Sequence, residues 1–386
     1  MTTLVTRRLT VEPFTPRRLP AVRAFNQRLA AGGAGWRFPE QPRPDWLPPE
    51  LGSEVYQELL LLLEGEAVRG AYVLKHQGVA MRGEIRRVGN LYMPLSEGTI
   101  NRAYSLVGAR LFSDALRREP LLFALGLGGG SAQITGLVRA LGWQLYRVPF
   151  FFKVLHAHRF LRQIRYLRTT PLRARLLDLA AFSGAGWAGS TAANALLTRR
   201  PRGKGPFEVD VVDSFGTWVD EIWYASAARY SFVAVRTAAV LNRLYPSTRS
   251  DLLRLRVKRA GKVIGFAVVQ DEHSLPSESL GEMRVGTVMD GFARPEDAEA
   301  VMWLAARALE ERGVDLIISN QSHPAWGAGL RRAGFMEGPS NCLFAADKRL
   351  TGLITAMDPD ARELHLNRGD GDWPWGVNLR TSPDQP

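Results

Sequence analysis

The densest run of chemically capable side chains lies in Glu363-Leu-His-Leu-Asn-Arg-Gly-Asp-Gly-Asp-Trp-Pro-Trp375. A strand over Arg362–Asn367 would deliver His365, Arg368, Asp370 and Asp372 into a glycine-rich turn flanked by Trp373 and Trp375. Carboxylates beside aromatic rings suit an amine or sugar substrate, so His365, Arg368, Asp370, Asp372 and Trp373 form the candidate substrate-binding set. The plainer reading is a turn docked by two tryptophans. The Asp-Gly-Asp spacing lacks the remaining ligands of a calcium loop, and no metal is expected. A second group sits at strand ends. Asp290 follows the apolar run Val285–Met289, where a carboxylate could accept the proton of an attacking amine. Asn320 and His323 follow Val314–Ser319, and a histidine titrates near neutrality. Asp290, His323 and Asn320 are the catalytic candidates. Each also suits the start of a helix, where Asn and Asp cap free backbone N–H groups.

The elements that must hold these residues come in two similar series. Gln57–Glu64, Ala67–Lys75 and Glu84–Met93 read as strands, with a turn at Gly65. Thr99–Arg118 has helical spacing, Leu121–Leu127 is a short apolar strand, Ala132–Leu141 a short helix and Trp143–Val154 a further strand. The second series is Asp251–Lys258, Lys262–Gln270, Glu282–Met289, the helix Pro295–Arg312, Val314–Ser319, the helix Pro324–Ala333 and Asn341–Ala346. Gly65/Gly261, Gly70/Gly265, Glu84/Glu282 and Gly142/Gly334 recur in order at nearly constant spacing, which implies an internal duplication. The expected organisation is 1–154 and 207–386 as the two copies, joined by 155–206. Trp36–Pro49 is too rich in proline for helix or central strand and reads as a wrapping loop.

Charge is unevenly placed. Between Pro120 and Phe207 thirteen Lys or Arg face one acid, Asp178, which accounts for the whole net charge of +12. Arg159, Arg162, Arg165 and Arg168 recur every third residue, with Phe160, Leu161, Ile164 and Leu167 towards the other side, the pattern of a basic amphipathic helix. The single cysteine, Cys342, excludes an intramolecular disulfide and a cysteine-cluster metal site. The first residues lack a signal-peptide apolar core, and the uncharged stretches Leu121–Val138 and Leu179–Thr198 are too interrupted to span a membrane. A cytoplasmic protein, peripheral at the inner membrane face, is expected.

The order hairpin, strand, long helix, strand, short helix, Gly-aromatic, strand resembles the Gcn5-related N-acetyltransferase (GNAT) fold. The similarity is most specific in Val314-Asp-Leu-Ile-Ile-Ser-Asn320 followed by Leu330-Arg-Arg-Ala-Gly-Phe335, with Leu137-Val-Arg-Ala-Leu-Gly-Trp143 at the matching place in the first copy. The resemblance implies two α/β (α+β) domains with mixed, splayed sheets. It also implies acyl-CoA or acetyl-CoA as co-substrate, lying against Val288, Met289, Gly291, Arg294 and Asn320 of a catalytic second copy. An N-acyltransferase acting on an amine-bearing acceptor follows, with a sugar or lipid-linked envelope intermediate as the acceptor class. Neither Met93-Pro-Leu-Ser-Glu-Gly-Thr99 nor Asp290-Gly-Phe-Ala-Arg-Pro-Glu-Asp-Ala298 carries the family's phosphate-loop pattern. Two alternatives resemble other uses of the fold: a FemABX-like transferase taking its acyl group from aminoacyl-tRNA, and a non-catalytic binding protein.

The basic segment 150–204 predicts an anionic membrane surface as partner. At about 1 kcal/mol per engaged arginine, four give reversible, salt-sensitive attachment. Co-sedimentation should therefore show binding to anionic but not neutral vesicles, abolished by replacing Arg159, Arg162, Arg165 and Arg168 with Gln. Equal binding to both vesicle types, or to neither, rejects the membrane partner.

Overall fold

The computed structural model describes residues 9–41, 45–47, 53–126, 132–163, 198–203, 205–272 and 283–371. Asp372, Trp373 and Trp375 of the tail, Glu282, residues 179–197 of the second uncharged stretch, and Arg165 and Arg168 of the basic stripe lie outside the described residues.

In the first copy β1 (Leu9–Pro13) pairs with β2 (Val55–Glu64), which turns at Gly65 into β3 (Ala67–Met81). The next turn, Arg82-Gly83, has φ of 52° and 90°, both left-handed, as a two-residue hairpin turn matched to strand twist requires. It leads into β4 (Glu84–Ser96). The second copy repeats this device: β9 (Leu252–Arg259) and β10 (Lys262–Glu272) join through Ala260-Gly261, at φ 49° and 77°.

The fourth strand of each hairpin set then runs parallel to a short fifth. β4 pairs with β5 (Leu122–Gly126) through Gly89↔Leu122 and Asn90↔Phe123 only. β11 (Val285–Ala293) pairs with β12 (Leu316–Asn320) from Val285↔Leu316 to Val288↔Ser319. Beyond those pairs the strands part. A bulge sits on the fourth strand where each gap opens. Met93 and Pro94 together oppose Tyr72, and Met289 is the extra residue between Val288 and Asp290.

β6 (Gln144–Val154) and β13 (Met336–Ala346) complete the copies by exchange. β13 lies between β5 and β6, antiparallel to both, and β6 pairs in turn with β12. With β7 (Phe207–Val212) at the far edge beside β9, the described strands form one sheet ordered β1-β2-β3-β4-β5-β13-β6-β12-β11-β10-β9-β7. Two short strands, β8 (Phe232–Ala234) and β14 (Leu364–His365), pair with each other, and β8 also joins β3. β13, which comes from the segment 207–386, thus pairs with β5 and β6 of the segment 1–154.

Helices cover both faces. α1 (Leu19–Ala31) buries Val22, Phe25 and Leu29 against Leu59, Leu61 and Val73. α2 (Val107–Arg118) buries Leu111, Phe112 and Ala115 on the opposite face, against Leu60, Tyr72 and Leu74. Further along the chain lie α3 (Ala132–Ala140), α4 (Ala157–Gln163), α5 (Thr217–Ser226) and α6 (Ala238–Leu244). α7 (Ala298–Glu311), α8 (Pro324–Arg332) and α9 (Lys348–Met357) follow. On α4, Arg159 bonds Asp315 at 3.2 Å, so this member of the basic stripe is tied to the second copy.

Two expectations are corrected. Thr99–Arg118 is not one helix: 3-10 turns at Glu97–Thr99 and Arg102–Tyr104 precede α2. Asn101 accepts from the Ala103 N–H and Ser96 from the Gly98 N–H, bonds that divert the backbone from helix. The tail strand is only Leu364–His365, because Asn367 caps a tight turn at Arg368–Asp370.

The first copy also buries a charged cluster. His76, stacked on Tyr56 at 4.4 Å, meets Glu58 at 2.9 Å and Glu119 at 3.1 Å through its two ring nitrogens. Both ring positions therefore act as donors, and the ring is an imidazolium. Burial opposes the charge, but the bonds to Glu119 and Glu58 outweigh it and hold the His76 pKa above 6.5. Glu58 is held below 4.5 by its bond to His76; for Glu119, bonds to His76 and Arg87 overcome burial. The histidine contribution is complete below the unfolded value near 6.5 and is lost as pH rises through the folded value. The carboxylate contribution is complete above 4.5 and is lost as pH falls through the lowered values. His76→Gln should cost about 3 kcal/mol at pH 6 and flatten the decline in stability above pH 6.5. Urea melts across that range check this; a variant that keeps the wild-type slope excludes His76 as the titrating group.

Candidate functional site

The sequence candidates of the second copy converge where β11 and β12 part. Asp290, 2% exposed, accepts from Arg236 Nε at 2.9 Å, Tyr245 OH at 2.9 Å, Asn367 Nδ2 at 2.7 Å and its neighbour's Gly291 N–H at 2.7 Å. Arg236 is itself buried and reaches Asp370 through Nη2 at 2.9 and 3.0 Å. One guanidinium thus bridges two carboxylates. Burial alone would lower the Arg236 pKa, but the charges of Asp290 and Asp370 raise it and keep it ionised. Burial pushes the Asp370 carboxyl up, against the pull of Arg236. Lys75 of β3 and Asn90 of β4 both donate to the Asp370 carbonyl, at 3.1 and 2.9 Å, so the network ties the tail to both copies.

The tail fills the second gap. Gln321 and Asn367 form a bridge, and the Ser322 N–H bonds the Leu366 carbonyl at 3.0 Å. His365 Nε2 meets the Gly291 carbonyl at 2.8 Å, and Tyr230 OH donates to the Ala293 carbonyl at 2.8 Å. Trp326 donates its indole N–H to Tyr230 and lies 4.8 Å from the His365 ring. Gly291 and Gly369 allow this closeness. A Cβ on Gly291 would come within 3.0 Å of Trp326, and one on Gly369 within 2.1 Å of the Tyr245 hydroxyl. Val288 and Met289 are buried in the core.

The structure therefore brings Asp290, Gly291, Asn320, His365, Arg368 and Asp370 together as an internal assembly. Asn320 accepts from Arg368 Nη1 at 2.8 Å and donates to Asn341 at 3.0 Å. His323 stands apart, at the outer end of β12. Its Nδ1 accepts from the Ala325 N–H at 3.2 Å as the cap of α8, and burial pushes its pKa down to about 4. Arg294 is exposed at the turn before α7.

Arg236, Tyr245, Lys75 and Asn90 are the residues that sequence reasoning missed. Arg236 and Lys75 give only the weak signal of a lone cation in an apolar run.

The first gap differs. Its parallel ladder ends after Asn90↔Phe123, and Leu91–Ser96 leaves β5 from there. Among the described residues, no side chain bonds the backbone of Leu91, Met93, Pro94 or Leu95. Met93 stands outside the pairing register with a left-handed φ of 51°.

Removing Arg236 would strand two buried carboxylates, so Arg236→Met should cost about 3–5 kcal/mol. The variant combining it with Asp290→Asn and Asp370→Asn should recover part of that loss in chemical denaturation. A single variant as stable as wild type would show that the carboxylates do not depend on the guanidinium.

No known protein-family model matches the sequence, and no curated protein matches it. Solved structures do. A Saccharomyces cerevisiae N-myristoyltransferase with bound myristoyl-CoA aligns at 10% identity over 89% of this chain and 83% of its own, with a TM-score of 0.52. A GCN5-related N-acetyltransferase from Anabaena variabilis aligns at 9% identity over 88% and 72%, also at 0.52. The paired splayed strands and these likenesses agree: the chain carries the GNAT fold twice, in one continuous sheet.

Proposed function

We propose that the protein is an N-acyltransferase that carries an acyl group from acyl-CoA to an amine, with the donor in the gap of the first copy. The observation that carries this is the unequal filling of the two gaps. In the second, protein groups take the Gly291 and Ala293 carbonyls; in the first, β4 parts from β5 one pair after Gly89↔Leu122. A thioester arm needs free backbone groups of that kind to lie against. The myristoyl-CoA bound by the yeast structure supports the donor class.

In this reading the acceptor nitrogen attacks the thioester carbonyl, the C–S bond breaks, and CoA leaves as the thiolate that recovers the proton lost by the amine. The Met93 amide, at a bulge residue outside the pairing register, is proposed to hold the oxyanion. Asp290, Asn320 and Arg368 position the tail across both copies rather than touch the donor, and His323, with a pKa near 4, is a poor base at neutral pH. An amine on a lipid-linked sugar is the acceptor class that the basic segment 150–204 favours, at the inner membrane face.

A photoreactive acyl-CoA should label peptides from 91–126 and spare 289–323. Labelling confined to 289–323 would move the donor to the second copy, and no labelling would reject acyl-CoA. Thiol release with an amine present reports turnover, and Cys342 is buried enough to add little background.

A further inference from the structure

The first gap has a short closed end. Gly89 and Asn90 of β4 are the residues paired with β5 there, and the Gly89 N–H bonds the Leu121 carbonyl at 2.9 Å. β5 is pinned on its other side. Leu122 donates to the Asp347 carboxylate at 3.1 Å and accepts from the Asp347 N–H at 2.9 Å. A ladder this short is a weak hinge, so side chains that cross it help to set how far β4 stands from β5.

Glu119 crosses it. The residue lies between α2 and β5, and its side chain passes over Gly89, where a Cβ would come within 2.8 Å of the Glu119 Cγ. Beyond β4 the carboxylate accepts from His76 Nδ1 at 3.1 Å and from Arg87 Nε at 2.7 Å. His76 is buried on β3, paired with Gly89. Its Nε2 donates to Glu58 of β2 at 2.9 Å, and Arg118 at the end of α2 reaches Glu58 at 3.4 Å. Charged groups thus close a circuit from the start of β5 through β3 and β2 to α2. Arg118 also holds Asp114, which accepts from Tyr72, and Tyr56 meets the imidazole by stacking. The two carboxylates are therefore the groups that bond the ring.

A neutral imidazole has one N–H and serves only one carboxylate, while its bare nitrogen faces the other. Whichever carboxylate keeps its bond, the circuit from Glu119 to Glu58 opens, and the surviving bond loses its charge assistance. We propose that Glu119 and His76 are positioning residues for the acyl donor: the protonated pair straps the start of β5 to β3 across the closed end and sets the width of the first gap. This rests on the reading that places the donor in that gap, and both residues act through the strands rather than on the donor. Burial opposes the charge, but the bonds to Glu119 and Glu58 hold the His76 pKa above 6.5. The strap is therefore complete near pH 6 and opens on the alkaline side.

Two measurements on the full chain test this. Hydrogen exchange of the Gly89 amide, from about pH 6 to about pH 9, needs no donor. It is corrected for the intrinsic rate and taken relative to β10 amides, which report global opening. Wild-type protection should fall about tenfold across the range, the worth of one charge-assisted bond, and be low and flat in His76→Gln. Glu119→Gln, which keeps the shape of the side chain, should move the step to lower pH. Equal protection in wild type and His76→Gln, or an unmoved step in Glu119→Gln, overturns the strap.

The second measurement is affinity for a non-transferable acyl-CoA thioether over the same range. Affinity should fall with protection in the wild type, because a loosened gap must be ordered on binding, and stay flat in His76→Gln. The ligand's own titration is common to both proteins and cancels in their ratio. A ratio independent of pH overturns the positioning role. No binding by any form at any pH rejects the acyl-donor reading, and the donor role with it, while hydrogen exchange still decides the strap.

Discussion

Everything in this architecture depends on satisfying the strand edge that a splay exposes. When β4 leaves β5 after two residue pairs, the backbone groups of β5 beyond that point lose their partners on that side, and an unpaired buried amide is costly. The fifth strand must then be secured along its other side. Each copy does this with the last strand of its twin: β13 lies against β5, and β6 lies against β12. Duplication and exchange together convert two sheets with open central edges into one sheet whose edges are β1 and β7.

Once the sheet is continuous, the two gaps are free to diverge. The second is closed by a polar and aromatic plug rather than by longer strand pairing. Tyr230 and His365 take the carbonyls of β11, and Asp290 gathers Arg236, Tyr245 and Asn367. Such a network is stable because every charge in it has a counterpart: two carboxylates face Arg236 and, near the Asp370 backbone, Lys75. It also fixes the Arg368–Asp370 turn against β3, β4 and β11 at once, and so sets the distance between the copies. The fold repeats the same strand parting in both copies, and in the second copy side chains of the tail occupy it.

Much of this was legible in the sequence where local rules govern. Gly65 and Gly261, read as hairpin turns, and Gly142 and Gly334, read as helix stops, all have positive φ, and their recurrence pointed to the duplication. Strand and short-helix positions followed from runs such as Val314–Ser319 and from the stop at Gly334. The splay was legible only through resemblance to a fold, since no local pattern states that two strands diverge. The exchange of β6 and β13 was illegible, because both strands pair with residues about 190 positions away while their own composition is ordinary. The candidate site shows the same limit. Asp290 and Asn320 stood out as polar residues ending apolar runs and Asp370 as a carboxylate in a glycine-rich turn, and the structure joins them. Their partners Arg236 and Lys75 come from elements remote in sequence, and only tertiary placement turns a presumed open cleft into a sealed one. Asn101 and Asn367 mark a smaller failure: periodicity favoured helix and strand there, but short side-chain bonds to the backbone prevailed.

The exchanged strand also dictates an order of events during synthesis. Residues up to Val154 emerge with β4 and β5 already made, but the slot between β5 and β6 stays empty until Met336–Ala346 leaves the ribosome. Throughout that interval the first half presents two unpaired, apolar strand edges, β5 with Phe123 and Leu125 and β6 with Val148 and Phe151. Pairings this distant in sequence are slow to form and leave sticky edges waiting. The first half is therefore obliged to remain unfinished until Met336–Ala346 has been made, and neither half can serve as a template on which the other simply docks. The sheet closes when this one strand joins both halves, and the tail that fills the second gap follows it.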